Sequence, residues 1–138
     1  MKRFYVDTSV WLDFALDRSD GVRPLGELAF QFFKKCMRNG WKIVYSDAVI
    51  EELEKHLTME EIRERCFAIL EEKKLIQKIV FNKKEVEEAE EISKRERVSF
   101  TDALHAVIAR NNNATVVSRD RHFGQLSKVV KCFFPEEI

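Results

Sequence analysis

Four acidic residues sit where short apolar runs end or a central helix begins. Asp7 follows Phe4-Tyr5-Val6, and Glu52 comes shortly after Ile43-Val44-Tyr45-Ser46. Asp102 opens an Ala-rich segment, and Asp120 follows Thr115-Val116-Val117-Ser118. In an open α/β sheet, ligands bind beyond the carboxyl ends of the strands. Acids converging there repel by about 4 kcal/mol per close pair at an effective dielectric of ~20. A hard divalent cation is the simplest group to offset that repulsion. Such a cation polarises a phosphoryl oxygen and makes a nearby water more acidic, and one of the acids can orient that water as general base. The chemistry expected is metal-dependent hydrolysis of a phosphate ester, with magnesium or manganese suited to an all-oxygen donor set.

Each acid also has a plainer reading. Asp7 can cap a helix over Thr8–Leu16, but Thr8 and Ser9 can take that role and leave Asp7 to a metal. Glu51 and Glu52 compete for the second position. At ~100° per residue, Glu52 lies on the flank of the stripe Val49, Ile50, Leu53 and Leu57, while Glu51 lies nearly opposite it. Glu52 is therefore the expected ligand and Glu51 a solvated acid. Asp102 stands three residues after Ser99, where the helix dipole alone favours an acid. Its helix is otherwise apolar nearly all round, which turns that acid towards the interior. Asp120 lies in Ser118-Arg119-Asp120-Arg121-His122-Phe123, where a turn would explain it equally. Arg119 and Arg121 suit a substrate phosphate or pairing with nearby acids. Of His56, His105 and His122, His122 is the one placed to reach a substrate phosphate. The other two read as surface or satisfied core. Ser118 is placed to hydrogen-bond a neighbouring carboxylate.

The elements that must position these residues alternate. Strands are expected at Phe4–Val6, Trp41–Tyr45, Lys78–Phe81, Thr115–Ser118 and Val129–Phe133. Helices are expected over Thr8–Leu16, Leu25–Arg38, a segment capped by Ser46 or Asp47, Thr58–Lys73, Lys84–Arg97 and Phe100–Arg110. Asn39-Gly40 supplies a left-handed stop, and Thr58 with Glu61 a capping box. Trp11, Phe14, Phe32 and Phe33 recur at helical spacing as core, or as a protein interface if exposed. Strands alternating with helices indicate a parallel α/β sheet covered on both faces. No repeat, low-complexity tract or linker interrupts residues 1–138, so a single domain is expected.

With 24 basic and 24 acidic residues the net charge is zero, which argues against attachment to nucleic acid by bulk positive charge. An acidic metal pocket with a local basic rim remains compatible with a nuclease. The three cysteines, Cys36, Cys66 and Cys132, form no Cys-x-x-Cys pair, so neither a disulfide framework nor a zinc site is indicated. No stretch approaches the ~18 apolar residues of a membrane span. A soluble, cytoplasmic protein is expected.

Taken together, Val6-Asp7-Thr8-Ser9, the Ser46…Glu52-Leu53 element, Phe100-Thr101-Asp102-Ala103-Leu104-His105-Ala106 and Val117-Ser118-Arg119-Asp120-Arg121-His122-Phe123 resemble the four acidic motifs of PIN domains across essentially the whole chain. That resemblance implies a Rossmann-like α/β/α sandwich on a five-stranded parallel sheet. It also implies a Mg²⁺- or Mn²⁺-dependent ribonuclease, similar to the VapC toxins of toxin–antitoxin pairs. Asp7, Glu52, Asp102 and Asp120 would then be the metal-binding acids, with Thr8 or Ser118 as supporting hydroxyls. RNA, an antitoxin protein and a second copy of the chain are the implied partners. One departure concerns the second metal: some members carry a further acid just after the fourth, where this chain has Arg121 and His122. Two other readings compete. One is a PIN fold that binds RNA or protein without catalysis. The other is a phosphatase of the haloacid dehalogenase type, which expects an Asp where Ser9 stands.

Overall fold

The computed structural model describes residues 2–138. Five strands form one sheet, β1 (Arg3–Val6), β2 (Lys42–Tyr45), β3 (Ile76–Lys78), β4 (Thr115–Val117) and β5 (Cys132–Phe133). Their order is β3-β2-β1-β4-β5, and every pairing is parallel. The middle strand β1 is covered on both faces, which is why Phe4-Tyr5-Val6 is continuously apolar rather than alternating.

Helices α1 (Thr8–Leu16) and α2 (Leu25–Asn39) carry the chain from β1 to β2. Helix α3 (Asp47–Leu53), a short α4 (Met59–Glu61), a π-helical stretch (Ile62–Phe67) and α5 (Ala68–Glu72) carry it on to β3. Helices α6 (Lys83–Glu96) and α7 (Phe100–Asn111) then return it past β1 to β4. Right-handed crossovers running in opposite directions along the sheet put the first group on one face and α6–α7 on the other. The packing agrees: α1 touches α2, α3 and the π stretch, while α7 packs on α6, β1 and β4. The fold is thus an α/β/α sandwich, as the alternation predicts. Between β1 and β4 the strand order reverses, and a crevice is expected there at the carboxyl edge.

Aromatic packing fixes the α1–α2 layer. Trp11 is fully buried, stacks on Phe33 at 4.9 Å between ring centroids and meets Phe67 edge-on at 5.0 Å. Its indole N–H donates to the Val6 carbonyl at 3.1 Å, tying α1 to β1. Trp11, Phe32 and Phe33 are core, whereas Phe14 is half-buried against Phe30. Helix α2 stops at Gly40, whose φ of 66° is left-handed, a conformation that costs glycine little. The capping box at Thr58 and Glu61 is present.

Three expected elements differ. The third strand is Ile76–Lys78, not Lys78–Phe81. Its register is set by Ile43 opposite Ile76. As an edge strand with one neighbour it tolerates Gln77 and Lys78, while the apolar-looking Val80 is 83% exposed. The helix over Thr58–Lys73 contains the π stretch at Ile62–Phe67. Ile62, Cys66 and Phe67, at i, i+4 and i+5, all turn inward there, a spacing that the i→i+5 π turn accommodates. The fifth strand is also shorter than expected, Cys132–Phe133.

Candidate metal centre

All four acids lie around the carboxyl edge of β1, β2 and β4. Asp7 directly follows β1, and its backbone N–H donates to the Val117 carbonyl of β4 at 2.9 Å. Its side chain is the N-cap of α1, the plainer of its two expected roles, and neither Thr8 nor Ser9 takes it over. The capping uses only one oxygen. Oδ2 accepts from the Ser9 N–H at 3.3 Å, the Ser9 hydroxyl at 2.7 Å and the Ser118 hydroxyl at 2.9 Å. Oδ1 accepts no hydrogen bond from a described residue and stands 3.9 Å from His105 Nε2. Capping and metal binding are therefore compatible in one carboxylate.

Ser9 and Ser118 do more than hold Asp7. The Ser9 hydroxyl accepts from the Arg119 N–H at 3.1 Å, and the Ser118 hydroxyl accepts from the Asp120 N–H at 2.9 Å. The two serines thus clamp the turn after β4 onto the start of α1. Asp120 caps the 3-10 turn Arg121–Leu126, its Oδ1 accepting from the His122 N–H at 2.9 Å.

Glu52 reaches the site from α3. Its Oε1 accepts from the Thr8 hydroxyl at 2.8 Å and lies 2.6 Å from His105 Nε2. Glu51 is exposed. Sequence reasoning gave His105 no role, yet it is fully buried and its Nδ1 lies 2.7 Å from the Tyr5 hydroxyl. Tyr5 in turn meets the Ser46 hydroxyl at 2.7 Å. One proton assignment satisfies the whole chain: Ser46 donates to Tyr5, Tyr5 to Nδ1, and Nε2–H to Glu52. Burial alone would raise the Glu52 carboxyl, but the hydrogen bonds from His105 and Thr8 outweigh it and hold the group below its usual range. Burial raises the Tyr5 phenol far above its ordinary value, so it stays a neutral donor. Ser46 starts α3 through its backbone while its hydroxyl serves Tyr5 instead of capping. The signal for His105 was its position three residues after Asp102, on the same face of α7.

Asp102 opens α7, where its N–H is capped by the Ser99 hydroxyl at 3.1 Å. The residue is only 9% exposed, and the Ser99 hydroxyl and the charge of His105 favour its ionised form by less than its surroundings oppose it. Burial first, then the charges of Asp120 and Asp7, push this carboxyl up to about 6. A cation beside it would relieve all three causes. The metal-capable side chains gather in two groups, Asp7 with Glu52 and His105, and Asp102 with Asp120 and His122. In each, the ligand atoms lie within 4.8 Å of one another.

The basic residues at this end differ in availability. Arg119 forms a two-pronged pair with Glu136 at 2.6 and 2.7 Å and lies over the Phe134 ring. Its side chain is 11% exposed, so it is already engaged. Arg121 and His122 are exposed beside Asp120. A cleft of about 520 Å³ leads away from Asp120 along β5, lined in part by Arg121, Phe123, Lys131, Phe133 and Phe134.

Fold and site together define an α/β protein with a carboxylate-rich crevice at the switch point of its sheet. The sequence matches the PIN domain family model over residues 4–129, and the chain belongs to that family. Among curated proteins, none matches the sequence significantly. Solved structures share the fold at low identity. VapBC2 from Rickettsia felis, bound to a DNA fragment from the promoter, superposes with a TM-score of 0.65 at 16% identity, covering 96% of this chain and 98% of that one. FitAcB from Neisseria gonorrhoeae gives 0.64 at 17% identity, covering 98% and 99%. PAE2754 from Pyrobaculum aerophilum gives 0.60 at 16% identity, covering 99% and 92%. Among the described residues, no helix is long and apolar enough to cross a membrane.

Proposed function

We propose that this chain is a divalent-metal-dependent ribonuclease that acts as a single cytoplasmic domain. The observation that carries the reading is the crowding of Asp102, a largely buried carboxylate, by the charges of Asp120 and Asp7. Such an arrangement is costly unless a cation occupies it. Asp7, Glu52, Asp102 and Asp120 would hold Mg²⁺ or Mn²⁺. Once bound, that ion supplies Lewis-acid polarisation of a phosphoryl oxygen and raises the acidity of nearby water.

The chain's own residues do the positioning. Ser9 and Ser118 saturate Asp7 Oδ2 and leave Oδ1, 3.9 Å from His105 Nε2, free of their hydrogen bonds. Thr8 and His105 fix one Glu52 oxygen, which keeps that carboxylate ionised and in place. Arg121 and Lys131 are placed to take backbone phosphates along the cleft, and Phe133, 39% exposed, offers a face on which a base can stack. Those are the needs of a single-stranded substrate. Arg119 would join them only by leaving Glu136.

A toxin role, with a small antitoxin protein and a second copy of this chain as partners, is the biological setting we propose. Support comes from the family and from the shared fold of VapBC2 and FitAcB. The test is cleavage of a mixed single-stranded RNA by the purified chain with Mg²⁺, Mn²⁺ or EDTA, beside Asp7→Asn and Asp102→Asn. Cleavage that needs metal and is lost in both variants supports the enzyme. A folded protein that binds this RNA without cutting it under any metal would be a binding module instead.

A further inference from the structure

We propose that His122 supplies a nitrogen ligand to the cation held by Asp102 and Asp120, so that this end of the acidic cluster is a mixed nitrogen–oxygen site favouring transition ions over magnesium. The inference rests on the metal-dependent reading above and makes it specific to this chain.

Three observations converge. Asp102, Asp120 and His122 each present a ligand atom within 4.8 Å of the other two. Asp102 is nine-tenths buried, at 9% exposed, and its carboxylate faces the acids Asp120 and Asp7 with the Ser99 hydroxyl as its neighbouring donor. Asp120 commits only Oδ1 within the chain, accepting from the His122 N–H at 2.9 Å with the His122 Nδ1 at 3.1 Å. Its Oδ2 accepts from no described residue. A simple ring–carboxylate pair on a turn would account for His122 and Asp120, but it would leave Asp102 crowded by two other acids that Ser99 and His105 only partly offset. A cation shared by Asp102, Asp120 and His122 answers that crowding.

Backbone geometry delivers the imidazole. The 3-10 turn Arg121–Leu126 starts at Asp120, and its buried anchors Phe123 and Leu126 fix the turn. The His122 ring itself is 68% exposed, so core packing does not hold it. The position after the fourth acid therefore carries a donor, but an imidazole rather than a carboxylate. Magnesium takes oxygen ligands and keeps much of its water. Imidazole suits later first-row ions, whose affinities rise from manganese through cobalt to nickel.

The test is calorimetric titration of the tag-free chain with MgCl₂ and with CoCl₂, together with pulsed EPR of the Mn²⁺-loaded protein, in wild type and His122→Gln. We expect tighter cobalt than magnesium binding and a nitrogen coupling on manganese in wild type. His122→Gln should lose that coupling and weaken cobalt by about tenfold or more, with magnesium changed far less. Because the ring is exposed, the variant should fold, which circular dichroism checks. A nitrogen coupling that persists in His122→Gln, or unchanged cobalt affinity, overturns the proposal. Metal binding without nitrogen coupling overturns it while leaving the ribonuclease reading standing. No binding of any ion by folded wild type overturns both.

Discussion

At the scale of single residues, the site separates two kinds of acid. Glu52 is stabilised as an anion by Thr8 and His105. Asp102 gets some help from the Ser99 hydroxyl and His105, but burial and the charges of Asp120 and Asp7 outweigh it and raise its carboxyl to about 6. An acid whose folded value lies above its unfolded one near 3.8 favours the native state while protonated. That advantage fades as pH rises from about 4 through about 6. Metal-free protein should therefore lose stability over this window through Asp102. Asp102→Asn removes the charge, so in EDTA at pH 7.5 it should stabilise the protein by roughly 1–3 kcal/mol. The gain should shrink towards nothing at pH 4.5. Urea denaturation at both pH values checks this, and an Asp102→Asn protein less stable than wild type at pH 7.5 would refute it. The same substitution is expected to abolish cleavage, so stability and activity should move in opposite directions.

At the scale of elements, the joint between α1 and α2 is a close backbone approach in the site's support. Asp17 ends α1 in a left-handed conformation, with φ of 47°. The Gly26 N–H then donates to the Arg18 carbonyl at 2.9 Å. A Cβ on Gly26 would meet the Asp17 Cα at 2.6 Å and the Asp13 carbonyl oxygen at 2.8 Å. Both are backbone atoms that cannot swing aside. Gly26→Ala should therefore push the helices apart and cost about 1–3 kcal/mol or more, which thermal unfolding would register. A neutral result would mean that this joint relaxes freely. Helix caps and stops were readable beforehand because they depend on neighbours in sequence: Gly40 ends α2, and Thr58 with Glu61 opens α4. Strand β3 was misplaced because its limits depend on β2, opposite which Ile76 and not Val80 falls.

At the scale of the whole molecule, acids drawn from β1, α3, α7 and the turn after β4 oppose one another in the folded state only. A divalent ion that binds there should stabilise the fold by mass action, by roughly 2.7 kcal/mol at one hundred times its dissociation constant. The melting temperature should rise with added Mn²⁺ and fall back with EDTA. Ser118→Ala should reduce that rise, because it frees Asp7 Oδ2 and the Asp120 N–H together. A melting temperature indifferent to Mn²⁺ in wild type would count against the cation site.

The sequence by itself determined the α/β alternation, the helix caps and the acids nearest the strand ends. Each follows from local periodicity or from side chains competing for nearby backbone groups. It also separated Glu52 from Glu51 by helical phase, and the structure places Glu52 against Thr8 and His105. What it left undecided needed distance in three dimensions. In the Tyr5–His105–Glu52 chain, the hydrogen bonds Tyr5–His105 and His105–Glu52 join residues 100 and 53 positions apart, so although His105 shares a helix face with Asp102, no short-range pattern names its partners. For Arg119 the sequence left a substrate phosphate and an acidic partner both open, and the structure pairs it with Glu136. The apolar helix already turned Asp102 inward, but only the packing of α7 against β1 and β4 set it beside Asp7 and Asp120. Hydrophobic burial placed that helix, and the electrostatic cost it imposed on Asp102 is what points to a cation.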